Sequence, residues 1–246
     1  MKPLTPLKIV RSGLCIGCGA CAAETPAGRM DLDDYGQFRP IDGGGERFER
    51  ICPFSPIAAD EDTIADDLYP EAPRYPTAGR FLDAYVGHVE AEGFRDRGSS
   101  GGMVSWVLDE LMRQGLIDAA AHVAPVDPDA EGRYFRYRVS RSSEAIRAGA
   151  KSRYYPVEMS DLLREIRATP GRYAVVGVPC FIKAIQLLRR EDPILRERIA
   201  FTLGLFCGHM KSARFVESFA MQMGVPIEAV QAVEFRVKDA SRPANV

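Results

Sequence analysis

The sequence predicts an α/β fold, α+β in the way it joins two unlike parts. A small cysteine-bearing N-terminal module, ferredoxin-like in its ligand spacing, precedes a largely parallel α/β domain. Three observations carry this. The first sixty residues are rich in Gly and Asp and poor in apolar periodicity. Three cysteines recur there at every third position. From about residue 81, strand-like and helix-like segments alternate. The 246 residues are 46% hydrophobic and 27% charged, which suits a globular chain. Thirty-two Lys and Arg against 34 Asp and Glu leave a net charge of −2, so no basic field argues for nucleic acid. The apolar runs fall well short of the ~20 residues of a membrane helix. The opening MKPLTPLKIVRSG lacks a signal core, so a cytoplasmic protein is expected.

Residues 1–68 form the expected module. So little apolar content cannot bury a core unaided, and a metal is the natural staple. Residues 69–80 contain three prolines and read as an extended linker. Residues 81–246 make the α/β domain. FLDAYVGHV reads as a strand. SSGGMVSWVLDELMRQG reads as a helix that turns Met103, Val104, Val107, Leu108, Leu111 and Met112 to one face. Ser99 or Ser100 would cap it, and Gly115 would stop it. IDAAAHVAPV and YFRYRVS read as strands, SSEAIRAG as a short capped helix, and SDLLREIRAT as a helix capped by Ser160. Two β-α units follow: RYAVVGVP runs through Cys180 into FIKAIQLLRR, and IAFTLGLF runs through Cys207 toward ARFVESFAMQMG. VEFRV opens a further strand, and its closeness to the chain end makes the sequence read as a fragment of a longer α/β domain.

The six cysteines carry most of the chemistry. In a reducing compartment such close spacing indicates metal ligands rather than disulfides. Cys15, Cys18 and Cys21, with Cys52 before Pro53, have the opening and the ending of the bacterial ferredoxin run. Three thiolates at that spacing wrap one face of a [4Fe–4S] cubane, and the distant fourth closes it. Structural zinc more often takes two separated Cys pairs, and free thiols are a third reading. Cys180 and Cys207 each end a strand at the carboxyl edge of the sheet, where open α/β sheets place ligands. They read either as ligands converging on one cleft with the Gly98 loop or as packing residues. Gly98, Ser99, Ser100, Gly101 and Gly102 open a helix and would let a phosphate approach its N–H groups, or would simply form a turn. Lys151 to Tyr155 set cations beside aromatic rings, as a flavin contact or a solvated loop. His88 and His122 read as satisfied core residues, and His209 is a weak candidate for proton delivery.

Taken together and in order, these motifs resemble the family of coenzyme F420 hydrogenase/dehydrogenase beta subunits. CxxCxxC and CP come first, then GSSGG, SRYYP, VVGVPC and LGLFCG. The family includes deazaflavin-reducing hydrogenase subunits and the plastid hydroxymethyl-chlorophyllide reductase. The resemblance implies an FAD-binding α/β domain and iron–sulfur clusters that carry electrons between flavin and partner. It maps Gly98 to Gly102 and Ser152, Arg153 and Tyr154 to the flavin region. It maps Cys180 and Cys207 to a second cluster that needs downstream cysteines. The expectation is an iron–sulfur flavoprotein oxidoreductase with a ferredoxin-like or hydrogenase/dehydrogenase redox partner and a small-molecule substrate. A non-catalytic electron carrier and a zinc-stapled binding module are the rival readings.

Overall fold

The computed structural model describes residues 3–91, 93–239 and 241. The chain opens with α1 (Pro6–Arg11), where Pro6 stands in the first turn and has no N–H to leave unpaired. A single 3-10 turn, Ala22–Glu24, follows the cysteine triplet. β1 (Arg29–Leu32) and β2 (Phe38–Asp42) pair antiparallel. Asp33 closes their turn by accepting from the N–H groups of Tyr35 and Gln37. α2 (Phe48–Ile51) delivers Cys52 at its C-terminal end. α3 (Glu61–Leu68) is capped by Asp60, which accepts from the Thr63 N–H at 2.8 Å.

The segment 69–80 is not extended. It folds back as a hairpin of β3 (Arg74–Tyr75) and β4 (Gly79–Arg80). Arg80 pins it to α3 through Asp66 at 2.5 Å and also donates to the carbonyls of Pro70 and Ala72. One guanidinium with five donors thus gathers a stretch whose prolines alone favour extension.

The segment 81–89 is not a strand. Phe81 donates to the Pro73 carbonyl and Val89 to the Gly101 carbonyl, while β6 and β8, defined below, hold the two edges of the sheet. α4 (Phe94–Arg97) and α5 (Met103–Arg113) follow. The α5 cap is Gly102 in the left-handed conformation, not a serine. Leu108 is buried on the expected face, with Val104, Leu111 and Met112 beside it, but Met103 is exposed.

β5 (Ala119–Pro125) leads through α6 (Pro128–Glu131) to β6 (Phe135–Ser140), and α7 (Ser143–Ala148) is capped by Ser142. α8 (Ser160–Ala168) starts at Ser160 itself, and the Glu158 carboxylate accepts from the Ser160 N–H at 2.7 Å. β7 (Tyr173–Gly177), α9 (Pro179–Glu191), α10 (Pro193–Arg198), β8 (Ile199–Gly204) and α11 (Arg214–Gln222) complete the order. VEFRV forms no strand, because Arg236 at φ 55° leaves the extended region while Phe235 turns into an aromatic cluster with Tyr155 and Phe135.

The main sheet runs β6-β5-β7-β8, parallel throughout except for the β5–β6 pair. α5 and α7 cover one face, where Leu108 and Ile146 meet Ala120, Ala174 and Val176. On the other face Leu163 and Ile166 of α8, Phe181 and Ile185 of α9 and Leu195 of α10 meet Ala119, Ala121 and Val175. Ala20, Ala23 and Ile51 of the cysteine segment belong to that second core. Packing is therefore continuous from the N-terminal segment into the sheet. Helices that lead into or out of parallel strands run antiparallel to them, so the N-termini of α5 and α9 both lie at the carboxyl edge, on opposite faces.

Leu163→Ala should remove about 2–5 kcal/mol of unfolding free energy, the usual loss for a fully buried Leu. Urea titration should show the N-terminal thiols becoming reactive in the same transition that melts the helices.

Candidate redox site

Cys15, Cys18, Cys21 and Cys52 line one cavity, with Ile16, Met30, Pro40 and Phe54 in its walls. Two left-handed glycines bend the loop round it. A Cβ on Gly17 (φ 68°) would stand 2.4 Å from the Phe38 carbonyl oxygen, and one on Gly19 (φ 83°) would stand 2.5 Å from the Glu158 carboxylate. The loop carbonyls are tied outward. Arg39 holds that of Cys15, the Met159 N–H that of Cys18 at 3.0 Å, and the Gly44 N–H that of Cys21 at 3.0 Å. Amides are left to face the sulfurs: Ala20 toward Cys18, Ala22 toward Cys21, and Phe54 toward Cys52.

Burial pushes the Cys21 thiol up to about 12, and the Cys15 and Cys52 sulfurs add to it. Burial, then the neighbouring Cys21, raises Cys18 as well. Cys52 is raised chiefly by burial. Without a cation these thiols stay protonated, and a metal centre is what would make four crowded thiolates stable. The donor set is all-sulfur and the amides point at it, which fits an iron–sulfur cluster. Among the described residues no three His, Cys, Asp or Glu side chains close on a single metal ion. A cubane, by contrast, keeps its thiolates well apart.

Cys180 lies in the first turn of α9, and Cys207 lies exposed beyond β8. Burial raises Cys180, and Cys207 is near enough to add to the shift. The fully buried Tyr137 hydroxyl, donating to the Val176 carbonyl at 3.0 Å, feels both Cys180 and Cys18. Cys180 is thus within electrostatic reach of Cys207, and Tyr137 is within reach of both Cys180 and Cys18. The groove that Cys207 lines holds no residue of the Gly98 loop. Cys207 lines a groove of about 530 Å³ formed by α3, α9 and the end of β8, whereas Gly98 to Gly102 open α5 on the other face.

The Gly98 loop and the Lys151 loop do meet. Ser99 Oγ accepts from the Ser152 N–H at 2.7 Å, and Lys238 donates to the Ser100 carbonyl at 2.9 Å. Lys151 takes φ 94°, a conformation that a non-glycine residue holds only when its surroundings impose it. Arg153 stacks on Phe135 at 5.1 Å and donates to the Ala150 carbonyl, but its buried Nε has no partner. Such a guanidinium favours an anion nearby.

The model of the coenzyme F420 hydrogenase/dehydrogenase beta subunit N-terminal domain matches residues 84–164, and that of the C-terminal domain matches residues 171–243. The chain belongs to that family of beta subunits. Among its relatives, the coenzyme F420-dependent sulfite reductase of Methanocaldococcus jannaschii is 25% identical, over 93% of this chain and 36% of that protein. A component of the F(420)H(2) dehydrogenase of Methanosarcina mazei is 24% identical, over 81% of this chain and 55% of that protein. The chain therefore spans about a third to about half of the curated relatives it matches. Its fold is like that of a chain in the F420-reducing [NiFe] hydrogenase complex of Methanosarcina barkeri, with TM-score 0.51 and 20% identity over 61% of this chain and 54% of that one. By family, then, this beta subunit homologue is related to oxidoreductases. Among the described residues no helix is long and apolar enough to cross a membrane.

The residues that shape the beta subunit site without being motif residues escaped sequence reasoning. Arg39, Glu158 and Met159 act on the cysteine loop, and Lys238 acts on the Gly98 loop, from far along the chain. Nothing in their local sequence marks them. His209 is exposed, and His88 is exposed too, 3.8 Å from Glu90, so His88 is no core residue. His122 is buried as expected. Its Nε2 lies 2.9 Å from Ser140 Oγ, and its ring fills the space where a Cβ on Gly149 would stand.

Burial depresses the His122 pKa below its ordinary 6.5; Arg153 lowers it further, and the Val123 backbone opposes the shift. Only the unfolded chain takes up this proton as pH first falls below about 6.5. The stability contribution is therefore full above that value and declines below it, toward the lower folded pKa. Thermal unfolding should show this slope in the wild type and not in His122→Gln.

Proposed function

We propose that the chain carries electrons in an iron–sulfur flavoprotein oxidoreductase. Cys15, Cys18, Cys21 and Cys52 would hold a [4Fe–4S] cluster, which supplies one-electron transfer when bound. FAD would lie with its phosphates near Gly98 to Gly102 and Ser152 to Tyr154, and it trades single electrons with a cluster and hydride with an organic substrate. The observation that carries the reading is the cavity lined by four cysteines, with amides aimed at the sulfurs and carbonyls tied away. The junction of Ser99 with Ser152 and the unpartnered, buried Nε of Arg153 support the flavin placement. Cys180 and Cys207 would serve a second cluster if further ligands join them. The redox partner would be ferredoxin-like or a hydrogenase or dehydrogenase subunit. The names of the relatives make coenzyme F420 the first small-molecule substrate to try.

Anaerobic reconstitution of the whole chain should load about four iron and four sulfide, the cubane stoichiometry. Cys→Ser at positions 15, 18, 21 or 52 should each lower that load. Tight binding of about one zinc with no sulfide would overturn the assignment. Loading should strengthen from about pH 6.5 to 8.5 and release protons, because the raised thiols must ionise to bind.

Arg153→Met should weaken FAD retention about tenfold, the scale of one lost charge-assisted hydrogen bond, without changing the far-ultraviolet circular dichroism. Undiminished flavin in the folded variant would move the phosphates elsewhere.

A further inference from the structure

We propose that Arg164 and Arg167 of α8 are positioning residues for the Cys18–Cys21 turn; in the holo chain this rests on reading those cysteines as cluster ligands. Three consecutive stretches of α8 and its entry hold the backbone of the triplet. The Met159 N–H binds the Cys18 carbonyl at 3.0 Å. Arg164 Nη2 donates to the carbonyl of Ala22 at 2.8 Å and also to that of Gly28. Arg167 Nη1 donates to the Ala23 carbonyl at 2.5 Å.

The grip fixes peptide planes, not just position. In a trans peptide the C=O of one residue and the N–H of the next point in opposite directions. Drawing the Ala22 carbonyl toward Arg164 therefore sends the Ala23 N–H back into the turn, where it donates to the Gly19 carbonyl at 3.1 Å. That bond closes the loop whose Ala20 and Ala22 amides face the sulfurs. The Gly19 carbonyl shares its peptide plane with the Ala20 N–H, so loss of that bond would free the amide that faces Cys18.

The arginines are themselves held in place. Arg167 pairs with Asp192 at 2.8 Å and with Glu24, whose side chain is only 3% exposed and also pairs with Arg47 at 2.9 Å. Apolar docking by Leu163 and Ile166 would suffice to attach the segment. Guanidinium groups that end on backbone carbonyls next to Cys21 set its conformation as well. α8 starts five residues after Tyr155, so the same helix start joins the cysteine turn to the Lys151 loop. A Cβ on Gly19 would meet Glu158, Met159 and Ser160 within 3.0 Å, which shows how closely the two are fitted.

The test uses the whole chain with and without reconstitution, as wild type, Arg164→Met, Arg167→Met and Arg167→Lys. In the apo chain, alkylation is followed cysteine by cysteine with mass spectrometry. Cys18 and Cys21 should react about tenfold faster in the Met variants, the effect of losing a charge-assisted bond. Cys180, which α8 does not touch through these arginines, should keep its rate, and Arg167→Lys should recover part of the protection. Unchanged rates at Cys18 and Cys21, or a parallel rise at Cys180 that signals general loosening, would overturn the proposal. In the reconstituted chain the Met variants should keep their iron but show a shifted midpoint potential and altered electron paramagnetic resonance of the reduced state; identical potential and spectrum would overturn it. A wild type that loads no iron would refute the cluster and leave the alkylation result to decide the role of the arginines.

Discussion

Helix α8 is the element on which the rest depends. Its apolar face puts Leu162, Leu163 and Ile166 into the core shared by the sheet, α9 and the cysteine segment. Each such side chain is worth ~1.5–3 kcal/mol of burial. Its polar edge carries Arg164 and Arg167 to the carbonyls beside Cys21. The N-terminal segment, with only Ala20, Ala22, Ala23, Ile9, Phe48, Ile51 and a few others buried, has too little apolar surface for a core of its own. It borrows one from α8 and α9.

Borrowing a core has a consequence for the chemistry. A loop that must offer amides to sulfur has its carbonyls turned outward, and outward carbonyls need donors. A module standing alone would give them to water. Here they are met by protein: Arg39 for Cys15, Met159 for Cys18, Gly44 for Cys21, Arg164 for Ala22 and Arg167 for Ala23. The cavity is thereby pre-organised, and its thiols are desolvated enough that Cys21 rises to about 12. The cost of crowding four thiols is offset when a cationic centre takes their protons' place.

Much of the fold was legible in the sequence. β5, β7 and β8, with the helices between them, announced themselves by apolar runs and 3.6-residue periodicity, which are local properties. The cysteine set was legible because ligand spacing is local too. The misreadings share one physical cause. Residues 69–80 looked extended until Arg80 gathered them. Residues 81–89 carried a strand pattern with no strand beside them to pair with. Ser99 looked like a helix cap, but its hydroxyl is taken by the Ser152 N–H, 53 positions away. Phe235 looked like part of a strand, but an aromatic pocket with Tyr154 at 5.3 Å draws it out of line.

By itself, then, the sequence determined the β-α order, the identity of the four clustered cysteines and the family resemblance that the residue matches at 84–164 and 171–243 bear out. These follow from spacing and periodicity, which are written in neighbouring positions. Only the tertiary structure decided that Cys207 lines a groove apart from the Gly98 loop, that the Ser99 hydroxyl meets the Ser152 N–H, and that Arg164 reaches Ala22 over 142 positions. A guanidinium is long, carries five donors and can end on any carbonyl within reach. Its partner is chosen by packing, and no local pattern records that choice.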